Sequence, residues 1–173
     1  LQSGSDVILK NMRRRYTSIQ YLDSIAKVKS KFPDLSVTTD IIAGFPGETT
    51  KDHLDTVDLV NDVDFSKLHV FPFSVRPGTT AAHLTDQIGS SVKSVRVDEL
   101  IRLGDEKSRS HRKQLIGTIR PVLWEERKNR KWIGLTDNYV RVCLRDERDL
   151  YNTINQVLIE GESNGYLNCL LVE

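Results

Sequence analysis

The stretch Val37–Thr49, VTTDIIAGFPGET, constrains this chain most. Val37, Thr38, Thr39, Ile41 and Ile42 are β-branched, which suits a pleated, packed strand. Gly44, Pro46 and Gly47 then break it: proline lacks an N–H, and glycine tolerates backbone angles that other residues resist. A helical pattern starts just beyond, at Thr49-Thr50-Lys51-Asp52. Strand, glycine-rich turn and helix start make half of a βαβ unit. Such a turn is expected to offer backbone N–H groups to an anion or to the polar edge of a nucleotide. A sharp turn with no ligand is the plain alternative.

The pattern recurs. A helix is predicted over about Asp52–Asn61, with Leu54, Val57, Val60 and Val63 on one face and four aspartates mostly on the other. A second strand, Ser66–Ser74, ends in another breaker cluster, Arg76-Pro77-Gly78-Thr79. Strand, helix and strand in quick succession imply parallel pairing through a crossover. Both clusters then lie at the C-terminal edge of one sheet, where parallel α/β folds bind ligands. His69, inside the second strand, reads as a hydrogen-bonded core residue. His53, His83 and His111 share no metal-ligand spacing.

Upstream, Gln2-Ser3-Gly4-Ser5-Asp6 looks like the end of a strand and its loop. A short helix follows with Val7, Ile8, Leu9 and Met12. Arg13-Arg14-Arg15-Tyr16 is either a solvated surface or an anion contact. Thr17 or Ser18 caps a helix carrying Leu22, Ile25, Ala26, Val28 and Phe32, which Pro33-Asp34 ends.

A long helix is expected over Lys93–Leu115, and Gly117 marks a change to short strands: Thr118–Trp124, Lys131–Leu135, Tyr139–Leu144, Gln156–Glu160 and Tyr166–Val172. Five short strands in under about 60 residues suggest a small OB-like barrel. Between Lys107 and Trp132 stand nine Lys or Arg against two Glu, a balance of +7 in a chain whose formal total is +1. With Trp124, Trp132 and Tyr139 nearby, this has the footprint of a nucleic-acid surface. Cys143 and Cys169 sit among alternating apolar residues and read as buried free thiols. That fits a reducing, cytoplasmic setting. No apolar run approaches the roughly 20 residues that span a bilayer, and no signal peptide is visible.

Taken together, the segments LQSGSD (1–6), MRRRYT (12–17), TTDIIAGFPGET (38–49) and RPGT (76–79) resemble the methylthiotransferases of the radical S-adenosylmethionine superfamily. The terminal strands resemble the TRAM domain that ends those enzymes. FSKLHVFP (65–72) and GLTDNY (134–139) resemble the branch that methylthiolates threonylcarbamoyladenosine beside the tRNA anticodon. The implied fold is α/β: part of a parallel (β/α) barrel over 1–116, followed by an all-β TRAM barrel over 117–173.

The resemblance implies S-adenosylmethionine and two iron–sulfur clusters for the full-length enzyme. It also implies that the cluster cysteines precede this chain, so the chain alone is expected to be inactive. Its partners would be the tRNA anticodon region and an N-terminal half of the same enzyme, with no membrane. By the same resemblance, Gln2, Ser3 and Ser5 face the ribose or methionine part of S-adenosylmethionine. Arg14 pairs with its carboxylate, Gly44, Phe45, Gly47 and Glu48 approach the adenosyl group, and Phe71, Pro72 and Ser74 lie against adenine. Lys128, Arg130, Lys131 and Arg141 are the expected phosphate contacts, with Trp132 or Tyr139 stacking on a base. A stand-alone RNA-binding module is the competing reading. A phosphate-binding α/β enzyme is a weaker third, because the turn lacks the lysine and hydroxyl pattern of a P-loop.

Overall fold

The computed structural model describes residues 1–172. The chain forms two compact units, Leu1–Ser108 and Arg109–Glu173.

The first unit is α/β. Helix α1 (Asp6–Asn11) is capped by the Ser5 side chain. Its C-terminus closes with Arg13 in the left-handed region at φ 59°. There the Arg14 N–H donates to the Leu9 carbonyl and the Arg13 N–H to that of Lys10, a Schellman-type stop that glycine usually occupies. Helix α2 (Ser18–Lys31) opens with a full capping box between Thr17 and Gln20. It buries no residue completely, and Val28 and Phe32, expected on its core face, are exposed.

Strand β1 (Thr38–Ala43) runs into the glycine turn, and α3 (Thr50–Asp62) leads to strand β2 (Lys67–Pro72). The strands pair in parallel, Thr38 opposite Lys67 through Ala43 opposite Pro72. On the other side of β1, the Ile42 N–H donates to the Gln2 carbonyl at 3.0 Å. A short 3-10 turn (Thr80–His83) precedes α4 (Ser90–Gln114), which starts three residues earlier than its apolar pattern suggests. Ile41, Ala43, Leu59, Val60, Phe65 and Leu100 form the centre of the core.

The expected face of α3 is shifted. Leu54 is exposed, while Asp52, His53, Thr56 and Leu59 are buried with Val60. The capping box fixes this rotation: Thr49 and Asp52 satisfy each other's backbone N–H groups, which draws Asp52 inward.

The second unit is a closed five-stranded barrel in the order β3-β4-β5-β7-β6. Its strands are β3 (Ile119–Lys128), β4 (Lys131–Thr136), β5 (Arg141–Leu144), β6 (Ile154–Ser163) and β7 (Tyr166–Leu171). All pairings are antiparallel except β5 with β7. Closure leaves no sheet edge. The barrel is filled by Val122, Trp124, Trp132, Val142, Val157, Ile159 and Leu167 with their neighbours. Gly134 is required there, since a Cβ would meet the Leu123 carbonyl oxygen at 2.4 Å and Trp124 at 2.9 Å. Compactness divides the chain inside α4, at Ser108, whereas the strand pattern begins only after Gly117.

Candidate ligand cleft and nucleic-acid surface

At the C-terminal edge of β1, a cleft of about 330 Å³ is lined by Gln2, Met12, Arg13, Arg14, Ile42, Phe45 and Thr80 among others. Arg14 is exposed there, so its guanidinium is available to an anion. Arg13 donates from Nη2 to Thr80 Oγ1 at 3.0 Å across the same cleft. Phe45 is buried and meets Phe73 edge-on, with centroids 5.2 Å apart. Phe71, Pro72 and Ser74 stand exposed at the end of β2 and just beyond it.

Other expected ligand contacts face inward. Ser3 and Ser5 are each only 2% exposed. Ser5 donates to Asp52 Oδ1 at 2.5 Å, and Ser3 Oγ lies 3.2 Å from Thr56 Oγ1. Thr49 holds the second Asp52 oxygen through its N–H at 2.9 Å and its hydroxyl at 2.6 Å. Burial alone would push the Asp52 carboxyl up. The hydrogen bonds from Ser5 and Thr49 outweigh that and hold it below its ordinary value. The two serines therefore fasten the first loop to α3, and Gln2 is the member of the trio that lines the cleft.

The glycine turn is also tied internally, contrary to its expected role as an N–H cradle. The Gly44 N–H donates to Glu48 Oε2 at 3.1 Å, that of Gly47 to the Asp86 carbonyl at 2.8 Å, and that of Glu48 to the Phe45 carbonyl at 2.9 Å. Glu48 is buried and receives Arg96 Nη1 at 2.7 Å. The same guanidinium nitrogen reaches the Glu48 carbonyl at 3.0 Å. The Glu48 side chain is thus a strut between the turn and α4. At φ +75° Gly44 leaves room for Lys93, whose Cγ would lie 2.2 Å from an added Cβ. Lys93 in turn donates to the Phe73 carbonyl. Arg96 was not legible as a site residue, since one arginine in an amphipathic helix carries no signal of its partner.

His69 departs from expectation as well. It is exposed, on the open face of β2, and among the described residues its side chain has no hydrogen bond. His53 and His111 are the buried histidines, and His53 Nε2 lies 2.7 Å from Glu99 Oε2. Among the described residues no cluster of three His, Cys, Asp or Glu is arranged to hold a metal ion.

In the barrel, Lys128, Arg130 and Lys131 crowd the β3–β4 hairpin, all exposed. The turn places Asn129 and Arg130 at φ 50° and 61°, the left-handed pair that a two-residue hairpin needs. Trp132 is not a stacking platform. It is 4% exposed, packs in the barrel core, donates from Nε1 to the Arg148 carbonyl at 3.0 Å and lies under Arg127. Trp124 is likewise buried. Tyr139 is 84% exposed at φ 62°, ahead of exposed Arg141. Of the two aromatics expected to stack, Tyr139 is the exposed one. Cys143 and Cys169 are buried free thiols, and burial pushes Cys169 up to about 12.

The radical SAM superfamily profile matches residues 1–60. The chain is 38% identical to the threonylcarbamoyladenosine tRNA methylthiotransferase of Bacillus subtilis, over 92% of this chain and 36% of that protein. It is 43% identical to the tRNA-2-methylthio-N(6)-dimethylallyladenosine synthase of Pelotomaculum thermopropionicum, over 75% of this chain and 29% of the relative. The same enzyme of Vesicomyosocius okutanii is 40% identical over the whole chain and 40% of its own length. The chain thus spans well under half the length of these curated relatives.

Proposed function

We propose, on the premise that this chain belongs to the radical S-adenosylmethionine methylthiotransferase family, that it serves a tRNA-modifying enzyme that adds a methylthio group to threonylcarbamoyladenosine beside the anticodon. The observation that carries this reading is the similarity over 92% of the chain to an enzyme named for that nucleoside. The cleft at the sheet edge and the basic hairpin on the barrel support it.

In this reading the first unit binds S-adenosylmethionine. Arg14 holds its carboxylate through the guanidinium fork. Gln2 and Phe45 wall the cleft, and Phe71, Pro72 and Ser74 stand against adenine. Ser3, Ser5 and Glu48 act one step back: they hold the first loop and the glycine turn against α3 and α4. When bound, and given one electron by an iron–sulfur cluster held elsewhere in the enzyme, S-adenosylmethionine would supply a radical able to take hydrogen from an unactivated carbon. The iron–sulfur clusters of the family do not fit residues of this chain, because each needs several thiolates and the two cysteines lie buried in the barrel. The proposal therefore assigns them to another part of the enzyme, and the chain alone is inactive.

The second unit binds tRNA in the cytoplasm. Lys128, Arg130, Lys131 and Arg141 contact phosphates, and Tyr139 stacks on a base. Titration of the chain with a tRNA anticodon stem-loop at two salt concentrations tests this. With four phosphate contacts on a single-stranded loop, log K should fall with log salt at a slope of about −3. Neutralising Lys128, Arg130 and Lys131 should flatten the slope by about two. No binding at low salt refutes the assignment.

A non-catalytic RNA-binding module is the second reading, favoured by the self-contained barrel. It predicts that S-adenosylhomocysteine leaves Arg14 and Phe45 untouched in a binding titration. The enzyme reading predicts binding that Arg14→Ala weakens.

A further inference from the structure

Parallel sheets are ordinarily covered on both faces. Here only one face of β1–β2 is covered: Thr39, Ile41 and Ala43 are buried, and Leu68 and Val70 are partly so. The other face is a ladder of three directly opposed pairs, Thr38–Lys67, Asp40–His69 and Ile42–Phe71. Five of those six residues are exposed and Ile42 is half-buried. Among the described residues the side chains of Lys67 and His69 have no hydrogen-bond or ion-pair partner.

The chemistry along this ladder is graded. At the C-terminal end Ile42 and the half-exposed Phe71 ring offer an apolar wall beside the cleft. Moving toward the N-terminal end, Asp40 supplies an acceptor, while His69 and Lys67 supply donors. Lys67 and His69 lie two residues apart on one strand, so their Cα atoms are about 6–7 Å apart on the same face. That spacing lets one carboxylate accept from both. A hollow of about 240 Å³ lined by Gln2, Thr38 and Asp40 adjoins the polar end.

We infer that the open face of β1–β2 is a specificity surface for the substituent on the target adenosine: Lys67 and His69 bind the carboxylate of a threonylcarbamoyl group. This rests on the branch assignment proposed above. Charge complementarity selects the occupant. A threonylcarbamoyl group ends in a carboxylate and carries a hydroxyl and urea N–H groups. A dimethylallyl group has none of these and would leave two donors and a carboxylate desolvated without partners, which is costly. Asp40 accepts from the hydroxyl or a urea N–H and, by repulsion, keeps the carboxylate on the β2 side. His69 serves as a donor in either protonation state.

The test is a titration of the chain followed by backbone amide NMR at residues 38–42 and 67–71. The probes are the nucleoside N6-threonylcarbamoyladenosine, its methyl ester and N6-dimethylallyladenosine. AMP serves as a phosphate control, and S-adenosylhomocysteine as a second source of carboxylate. The acid should bind about tenfold or more tighter than its ester. Lys67→Gln combined with His69→Phe should erase that preference while amide positions elsewhere stay put.

Equal binding of acid and ester, both tighter than the dimethylallyl nucleoside, overturns the carboxylate assignment and spares the branch reading. Tighter binding of the dimethylallyl nucleoside overturns the branch reading and the inference with it. Shifts at Lys67 and His69 that AMP or S-adenosylhomocysteine reproduces at equal affinity make this a general anion site and overturn the inference. So does the absence of any shift there with the acid at millimolar concentration.

Discussion

The two sheets of this chain differ in how they end. In the barrel every strand has two neighbours, and both tryptophans, Cys169 and the small Gly134 face a filled interior. Among the described residues of the first unit β2 pairs only with β1, and one sheet face stays open. A closed sheet hides its special residues and leaves its cations outside on a hairpin. An open sheet exposes functional groups along its length and draws stability from elsewhere, here from buried polar struts at the turns. Closure thus separates packing from recognition, while the open sheet combines them.

The sharpest way to break this contrast is inside the barrel. Trp124→Ala should cost about 3–5 kcal/mol and move only the barrel's transition in urea. If the first unit's transition moves equally, the two units are not energetically separate. In the open unit the corresponding cut is the buried strut. Glu48→Gln leaves Arg96 without its charge partner and should cost about 3–5 kcal/mol, whereas Glu48→Gln with Arg96→Met should cost less. A double variant as unstable as the single one would show that the turn depends on packing alone.

A smaller effect is expected at Asp52. Its replacement by alanine removes the α3 capping box and the Ser5 bond, at about 1–2 kcal/mol. The pH dependence has a definite sign. The folded carboxyl titrates below its unfolded value of about 3.9, so its contribution is present above that pH and is lost as pH falls through the folded value. Asp52→Ala should therefore lose part of the wild type's acid sensitivity below about pH 4, measured as urea midpoints of the first unit. Smallest of all, Arg13→Gly should stabilise the first unit by less than about 1 kcal/mol, since glycine relieves the left-handed stop of α1. A destabilised variant would mean that the Arg13–Thr80 bond outweighs that strain.

Much of the architecture was readable from residue order. Breaker clusters marked both strand ends, Thr17 and Thr49 marked helix starts, and alternation marked the barrel. Side-chain direction was harder. Trp132 looked like a partner of the basic residues around it. Yet in a strand, neighbours alternate between faces, so a tryptophan among lysines is usually their inward counterpart. Leu54 matched a helical face that the Asp52 cap rotated away. His69 read as core because its strand is apolar, and nothing in one strand tells how many neighbours will cover it. Asn129, Arg130 and Tyr139 take positive φ without a glycine to signal it, so the shapes of those turns were not visible.

The glycine turn carries a final consequence. Of the four N–H groups that Gly44–Glu48 possesses, three are engaged within the protein. What the engaged stretch leaves for a visitor is mainly carbonyl oxygen, which attracts hydrogen-bond donors and repels phosphate. ATP and GTP, abundant in any cell, therefore gain little at this turn. An adenosyl compound without phosphates meets correspondingly little competition there, even though no side chain is placed to turn nucleotides away.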